Sequence, residues 1–237
     1  MFLYIIRHGD PDYTTDSLTE LGKMQAEAVG KRLFAADIDR VFSSPLGRAR
    51  ETAAPLCRLA GLECNIEEWA REVDGEYTRT TVEGGEPKSI SLVQNTYYRA
   101  EGNIDLDFEH SYESIGIRDT KMRECVRVIE RGGDEFLERL GYKKEGGVYR
   151  ILRPNEERVA LFCHGMMGRA WISTLLHIPF HIMWASFNYT HTGVTVLEFR
   201  NNQNGLTAPK CLVYSDLSHI YAEMGAENMT YNNHAKI

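Results

Sequence analysis

Two histidines stand where short apolar runs stop. Phe2–Ile6 leads into Arg7-His8-Gly9, and Val159–Cys163 leads into His164-Gly165. In open α/β sheets, ligands gather beyond the carboxyl ends of the strands, so two such ends can bring both imidazoles to one pocket. Arg48 and Arg50 follow a third run, Arg40 to Ser44, and can reach the same edge. Paired imidazoles and guanidiniums suit a phosphoryl group. Arginine offers a planar, permanently charged fork that matches phosphate oxygens. Histidine, with an ordinary pKa near ~6.5, is available as a neutral nucleophile at physiological pH. Attack by imidazole on phosphorus gives a phosphohistidine that water can cleave, and catalysis is then largely positioning and charge stabilisation. A helix starting near Met166 would add backbone N–H donors for the anion.

The elements that must position these residues are legible in outline. Phe2 to Ile6 reads as a buried central strand. Thr19 is a suitable N-cap for a helix reaching about Phe34, with Leu21, Met24, Ala28 and Val29 along one face. Leu46 to about Leu59 reads as a second helix, in which Pro55 predicts a kink or division. A strand is expected near Glu63 to Ile66, and a long helix from about Thr120 to Leu140. Tyr149–Leu152 and Val159–Cys163 flank Pro154-Asn155-Glu156-Glu157, which predicts a hairpin. Further strands are expected over Thr192 to Phe199 and Cys211 to Tyr214. Between about 77 and 119 no period persists, and Gly84-Gly85 and Pro87 interrupt the chain; this predicts a loop-rich cap over a site. The fold class expected is α/β, three layers α/β/α around a mostly parallel sheet, with residues 1–237 as a single domain carrying the cap as an insertion.

The same residues resemble the histidine phosphatase superfamily, the phosphoglycerate mutase-like family. Arg7-His8-Gly9 after an N-terminal strand is similar to its first motif, and Leu18-Thr19-Glu20-Leu21-Gly22 to the segment that follows. Ser43-Ser44-Pro45-Leu46-Gly47-Arg48-Ala49-Arg50-Glu51-Thr52-Ala53 resembles its second motif, Arg71-Glu72-Val73-Asp74-Gly75 the stretch with its acidic proton donor, and Cys163-His164-Gly165 its second histidine motif. The resemblance implies that His8 is the nucleophile and becomes phosphorylated. It implies that Arg7, Arg48 and His164 hold the phosphoryl oxygens, and that Glu72 protonates the leaving alkoxide and later helps deprotonate water. It implies no metal and no cofactor. After Arg-His-Gly the family often has Glu, then Ser or Thr, and Asn a few residues on; here the chain reads Asp10, Pro11, Asp12, Tyr13 and Thr14. Thr14 is the candidate replacement donor, and Tyr97 with Tyr98 in the cap are candidate substrate contacts.

The expected activity is hydrolysis of a small organic phosphate monoester through a phosphohistidine on His8. The alternatives are a phosphoglycerate mutase-type phosphotransferase and a catalytically impaired phosphate-binding member of the family. Mutases of that type resemble one another in a tyrosine soon after the catalytic glutamate and in paired arginines in the cap; here Val73-Asp74-Gly75 follows Glu72 and no adjacent arginines occur in 77–119. Within that stretch Glu83, Glu86, Glu101, Asp105, Asp107, Glu109, Glu113 and Asp119 outnumber Arg79, Lys88, Arg99 and Arg118. Such a balance attracts polyanions poorly. Arg50 reads as a solvated helix residue and Cys163 as a buried, inert thiol. His110, His177, His181, His191, His219 and His234 read as structural or exposed, with Pro179 arguing against a metal pair at 177 and 181.

The whole chain of 237 residues carries a net charge of -7 and is 43% hydrophobic and 26% charged, an ordinary globular composition. It lacks the basic footprint that general binding to nucleic acid or an anionic membrane needs. Five scattered cysteines without a Cys-x-x-Cys pair fit neither a zinc ribbon nor a disulfide framework. No stretch approaches the ~18 apolar residues of a membrane span. The expectation is a cytoplasmic protein whose partner is a small phosphorylated metabolite, with a homodimer left open.

Overall fold

A computed structural model describes residues 1–103, 105–231 and 235–236. The elements that build the body are, in chain order, β1 (Phe2–Arg7), α1 (Glu20–Ala35), β2 (Arg40–Ser43), α2 (Gly47–Ala60), β3 (Cys64–Ile66), α3 (Met122–Arg139), β4 (Arg158–Cys163), α4 (Gly165–Leu176), α5 (Phe180–Ser186), β5 (Val194–Glu198), β6 (Lys210–Asp216) and α6 (Ser218–Met224). The six strands form one sheet in the order β6-β5-β1-β4-β2-β3. β1, β4, β2 and β3 run parallel, and β5 and β6 add an antiparallel edge.

Alternation along each strand sends side chains to two different cores. Leu3, Ile5, Leu161 and Cys163 face the layer built by α3, α4 and α5, where Phe136, Trp171 and Met183 are buried. Ile6, Val41, Ala160 and Phe162 face α1 and α2, packing with Val29, Leu33, Ala53 and Leu56. The expected three-layer α/β/α arrangement with a mostly parallel sheet is therefore present. Thr19 caps α1 as its sequence predicts, its side chain accepting from the Gly22 N–H.

Register is what makes the site. Arg7 pairs with Cys163 across β1 and β4, and Phe162 with Ser43 across β4 and β2. The residues that follow, His8, His164 and Ser44, leave three adjacent strands at the same level.

Two expectations are corrected. The stretch Val148–Ile151 does not pair with β4; it forms a hairpin with Tyr142–Glu145 through Gly146 and Gly147, joined by Leu206–Thr207. β4 is buried along Val159 to Cys163 and is paired in parallel on both edges, which leaves no edge for a hairpin partner. Pro55 does not divide α2, which runs unbroken from Gly47 to Ala60. Its ring packs against α1 where Gly30 presents no side chain, its Cβ lying 2.8 Å from where a Cβ at Gly30 would stand.

The described residues of 77–119 form short pieces: 3-10 turns, a two-stranded ribbon of Arg79–Thr80 with Lys88–Ser89, and the helical turn Asn95–Tyr98. The insertion is nonetheless docked. Ile90, Val93, Tyr98 and Ile117 are buried in the α3–α5 core, and the Ile90 carbonyl accepts both the Tyr98 hydroxyl (2.8 Å) and the Trp184 indole N–H (3.2 Å).

Candidate active site

His8 and His164 meet as the register requires, with ring centroids 5.1 Å apart, and both are essentially inaccessible. The His8 Nδ1 lies 2.7 Å from the Gly9 carbonyl. A carbonyl only accepts, so Nδ1 carries the proton and Nε2 presents its lone pair. Burial pushes the His8 pKa well below the usual imidazole range, helped by the Arg7 charge and the neighbouring rings of His164 and His191. His8 is thus a neutral base with its free nitrogen already chosen.

His164 Nε2 lies 2.7 Å from the Ser44 hydroxyl, while its Nδ1 is buried with no hydrogen-bond partner among the described residues. When Ser44 donates to Nε2, the proton resides on Nδ1, ready for an acceptor in the site. Burial, then Arg48, Arg7 and Arg71, hold this ring neutral as well. Ser44 is itself fixed by the Phe162 carbonyl, which accepts its N–H (2.9 Å).

Arg48 is buried at the start of α2, and its Nε also has no hydrogen-bond partner among the described residues. Asp16 holds the other side of its guanidinium and accepts the Gly47 N–H at 2.7 Å, capping α2 from a distant point in the chain. The loop carrying Asp16 is a small hairpin, Pro11–Asp12 with Ser17–Leu18. It approaches so closely that a Cβ on Gly47 would stand 2.1 Å from the Asp16 carbonyl oxygen. Glycine is required there by contact alone. The Thr52 hydroxyl donates to the Arg48 carbonyl (2.7 Å) and accepts the Gly9 N–H (3.0 Å), linking the two motifs. Arg7 donates to the Tyr189 carbonyl at 2.5 Å.

Glu72 reaches the same end of the sheet. Its carboxylate accepts the backbone N–H groups of Met167 (2.9 Å), Met166 (3.3 Å) and Val73 (3.0 Å). The α4 amides expected to serve the anion are therefore engaged by Glu72, which they fix beside His164. A groove of about 410 Å³ borders Glu72, lined by Trp69, Val73, Tyr77, Val128 and Ile129, with Glu68, Asp74, Glu124 and the guanidinium of Arg71 among its polar residues.

Of the candidate substrate contacts, Thr14 is exposed and gives its hydroxyl to Asp12 (2.6 Å), and Tyr97 packs half-buried against the α3–α5 core. Tyr98 is a buried core residue. Arg50 is exposed and Cys163 is buried, its thiol pushed up to about 12 mainly by that burial. His110 is exposed beside Asp107, while His181 and His219 are buried; His234 lies outside the described residues. His191, read from the sequence as structural or exposed, is buried, 5.5 Å from His8, ring centroid to ring centroid. Its isolated place between two threonines gave no motif to read. Among the described residues no group of three or more His, Cys, Asp or Glu could hold a metal ion, and no helix is long and apolar enough to cross a membrane.

Two strand-end histidines in register, one of them in an N-terminal Arg-His-Gly, thus stand at the end of a mostly parallel sheet, with a buried arginine at the head of α2. The chain belongs to the histidine phosphatase superfamily, branch 1, whose model matches residues 3–211. A probable phosphoglycerate mutase GpmB of Citrobacter koseri is 31% identical over 236 residues, covering 93% of this chain and 95% of that protein. A probable phosphatase of Schizosaccharomyces pombe is 37% identical over 68 residues, 25% of this chain and only 32% of that relative's length. Among solved structures, a phosphoserine phosphatase of Entamoeba histolytica in complex with 3-phosphoglyceric acid shares the fold, with a TM-score of 0.61, 21% identity and coverage of 92% of this chain and 98% of that one.

Proposed function

We propose that the protein hydrolyses a small, singly phosphorylated organic ester through a phosphohistidine on His8, without a metal. The observation that carries this reading is the meeting of the His8 and His164 rings, 5.1 Å apart, together with two buried donors, Arg48 Nε and His164 Nδ1, that lack hydrogen-bond partners among the described residues. Such atoms cost folding energy unless something satisfies them, and a phosphoryl group supplies acceptors for both donors. In the first step His8 Nε2 attacks phosphorus as the bond to the leaving oxygen breaks, and Glu72 gives that oxygen its proton. In the second, Glu72 takes a proton from water, the water oxygen attacks phosphorus, and the N–P bond breaks to return neutral His8 and inorganic phosphate. Arg7, Arg48 and His164 balance the charge on the phosphoryl oxygens throughout.

The groove beside Glu72 would receive the alcohol, and its apolar walls with a rim whose carboxylates outnumber the single guanidinium of Arg71 favour a leaving group without a second anion. The mutase reading draws on the names of relatives such as the Citrobacter protein; it requires holding a second phosphate or carboxylate, for which this acidic rim is ill suited. Purified protein is expected to release p-nitrophenol from its phosphate in excess EDTA, to lose that activity in His8→Ala, and to yield an acid-labile phosphoprotein when quenched with labelled substrate. Inactivity of the wild type across pH 5 to 8, a range set around the histidine pKa, leaves the binding-protein reading instead. Turnover of phytate comparable to that of a simple monoester contradicts the substrate class.

A further inference from the structure

We propose that His191 is a third imidazole of the phosphoryl site, donating a ring N–H to a non-bridging oxygen of the group that His8 receives. The assignment rests on the phosphatase reading and adds a residue that neither the motifs nor the register identify. The ring lies 5.5 Å from that of His8 at an interplanar angle of 34°, is 7% exposed, and has no hydrogen-bond partner on either nitrogen among the described residues. A buried imidazole without partners is unusual; here it lies beside the ring that would receive the phosphoryl group.

The backbone is arranged to present it. β5 runs antiparallel to β1 with Ile6 opposite Val194, so the turn before β5 folds over the end of β1. The Thr192 N–H bonds to the carbonyls of Arg7 (3.0 Å) and His8 (3.2 Å), and the Gly193 N–H closes the turn on Thr190 (2.9 Å). Thr192 sits at φ 54, a conformation that β-branched residues adopt only when the surroundings enforce it. Its hydroxyl donates to the His191 carbonyl (2.8 Å) and lies 3.1 Å from His219 Nε2.

The groups facing His191 are the His8 ring, the Arg7 charge and Asp10, whose Oδ1 lies 3.6 Å from Nδ1. Burial and then Arg7 hold the ring neutral. A phosphoryl dianion reverses that balance. With Asp10 beside Nδ1, Nε2 is left to face the anion, and the ring takes one proton from solvent on binding and returns it when phosphate leaves.

His191→Ala and His191→Gln, made in the full chain, test the assignment with inorganic phosphate as the probe. A hydrogen bond to a charged group predicts that His191→Ala raises the inhibition constant of phosphate about ten- to a hundredfold. It should lower kcat/KM by a similar factor for p-nitrophenyl phosphate and for an alkyl phosphate, because the contact is to the phosphoryl group and not to the alcohol. His191→Gln keeps a donor and should recover affinity, while losing the extra proton uptake seen by calorimetry in buffers of different ionisation enthalpy. Wild-type constants in a folded His191→Ala, or a loss confined to one ester, overturn the proposal. Should His191→Ala not fold, histidine-labelled NMR of the wild type decides: a ring that protonates as phosphate binds and is missing in His191→Gln supports the proposal, and no such ring overturns it. A wild type that neither turns over an ester nor binds phosphate brings down the phosphatase reading itself, whereas normal turnover with an indifferent His191→Ala removes only this residue.

Discussion

Glu72 and His8 have opposite requirements, and the structure meets them by different means. His8 must be neutral with one defined lone pair, which burial and the Gly9 carbonyl supply. Glu72 must be held where a proton is needed, which the amides of Val73, Met166 and Met167 achieve. If it acts as the proton donor, its importance scales with the basicity of the leaving group. Glu72→Gln is expected to reduce kcat on an alkyl phosphate by about 10²- to 10⁴-fold, with a much smaller effect on p-nitrophenyl phosphate, whose leaving group needs no proton. Equal losses on the two esters would show that the carboxylate is only a tether for α4. The meeting of His8 and His164 at neighbouring strand ends could be anticipated because each sits in a local motif. The engagement of the α4 amides could not, since Glu72 is 94 residues away from Met166.

The hairpin Pro11–Leu18 is the element that joins the first two motifs. It lies between α1 and α2; α2 begins with a glycine, Gly47, and α1 carries one in its first turn, Gly22, where the chain crosses closely. At Gly22 a Cβ would stand 2.1 Å from the Asp10 carbonyl oxygen, a backbone atom with nowhere to go. Gly22→Ala is therefore expected to destabilise the protein by about 1–3 kcal/mol, lowering Tm by roughly 2–4 °C for each kcal/mol in a chain of this size; an unchanged melting curve would mean that the loop yields freely. The family-like segment Leu18–Gly22 thus has a steric reason visible only once the hairpin is folded. Helices with a clear period and the strands ending in histidine were legible because 3.6- and 2-residue spacing is local. The hairpin through Gly146-Gly147 carried a readable two-residue turn, yet Pro154 drew attention to the wrong pair. His191 reaches the site only through antiparallel pairing of β1 with β5, which no local pattern encodes.

Across the whole molecule, five buried histidines tie stability to pH, and burial lowers His181 along with the four that are shifted furthest. His8 and His164 are pushed well below the ordinary range, His191 to about 2 and His219 to about 3, in each case chiefly by burial. In the unfolded chain each has its usual pKa near ~6.5. As pH falls through that value the unfolded state binds protons that the folded state refuses, so stability is fully present above it and declines below. The decline continues toward pH 3, at up to about 1.4 kcal/mol per pH unit for each histidine. Denaturant midpoints should fall steadily between pH 7 and pH 5, a window above the range where most carboxylates titrate. A flat or rising midpoint there would mean that these rings charge readily in the folded protein.

The glutamate at the start of the insertion and the insertion itself have separate anchors. Glu72 hangs from the first turn of α4, while the stretch that follows is moored by Ile90, Tyr98 and Ile117. Loops that carry their own attachments can be rewritten by evolution without disturbing the chemistry beneath them. If the proposed hydrolysis holds, descendants of such a chain are free to trade one clientele of alcohols for another while inheriting the reaction intact.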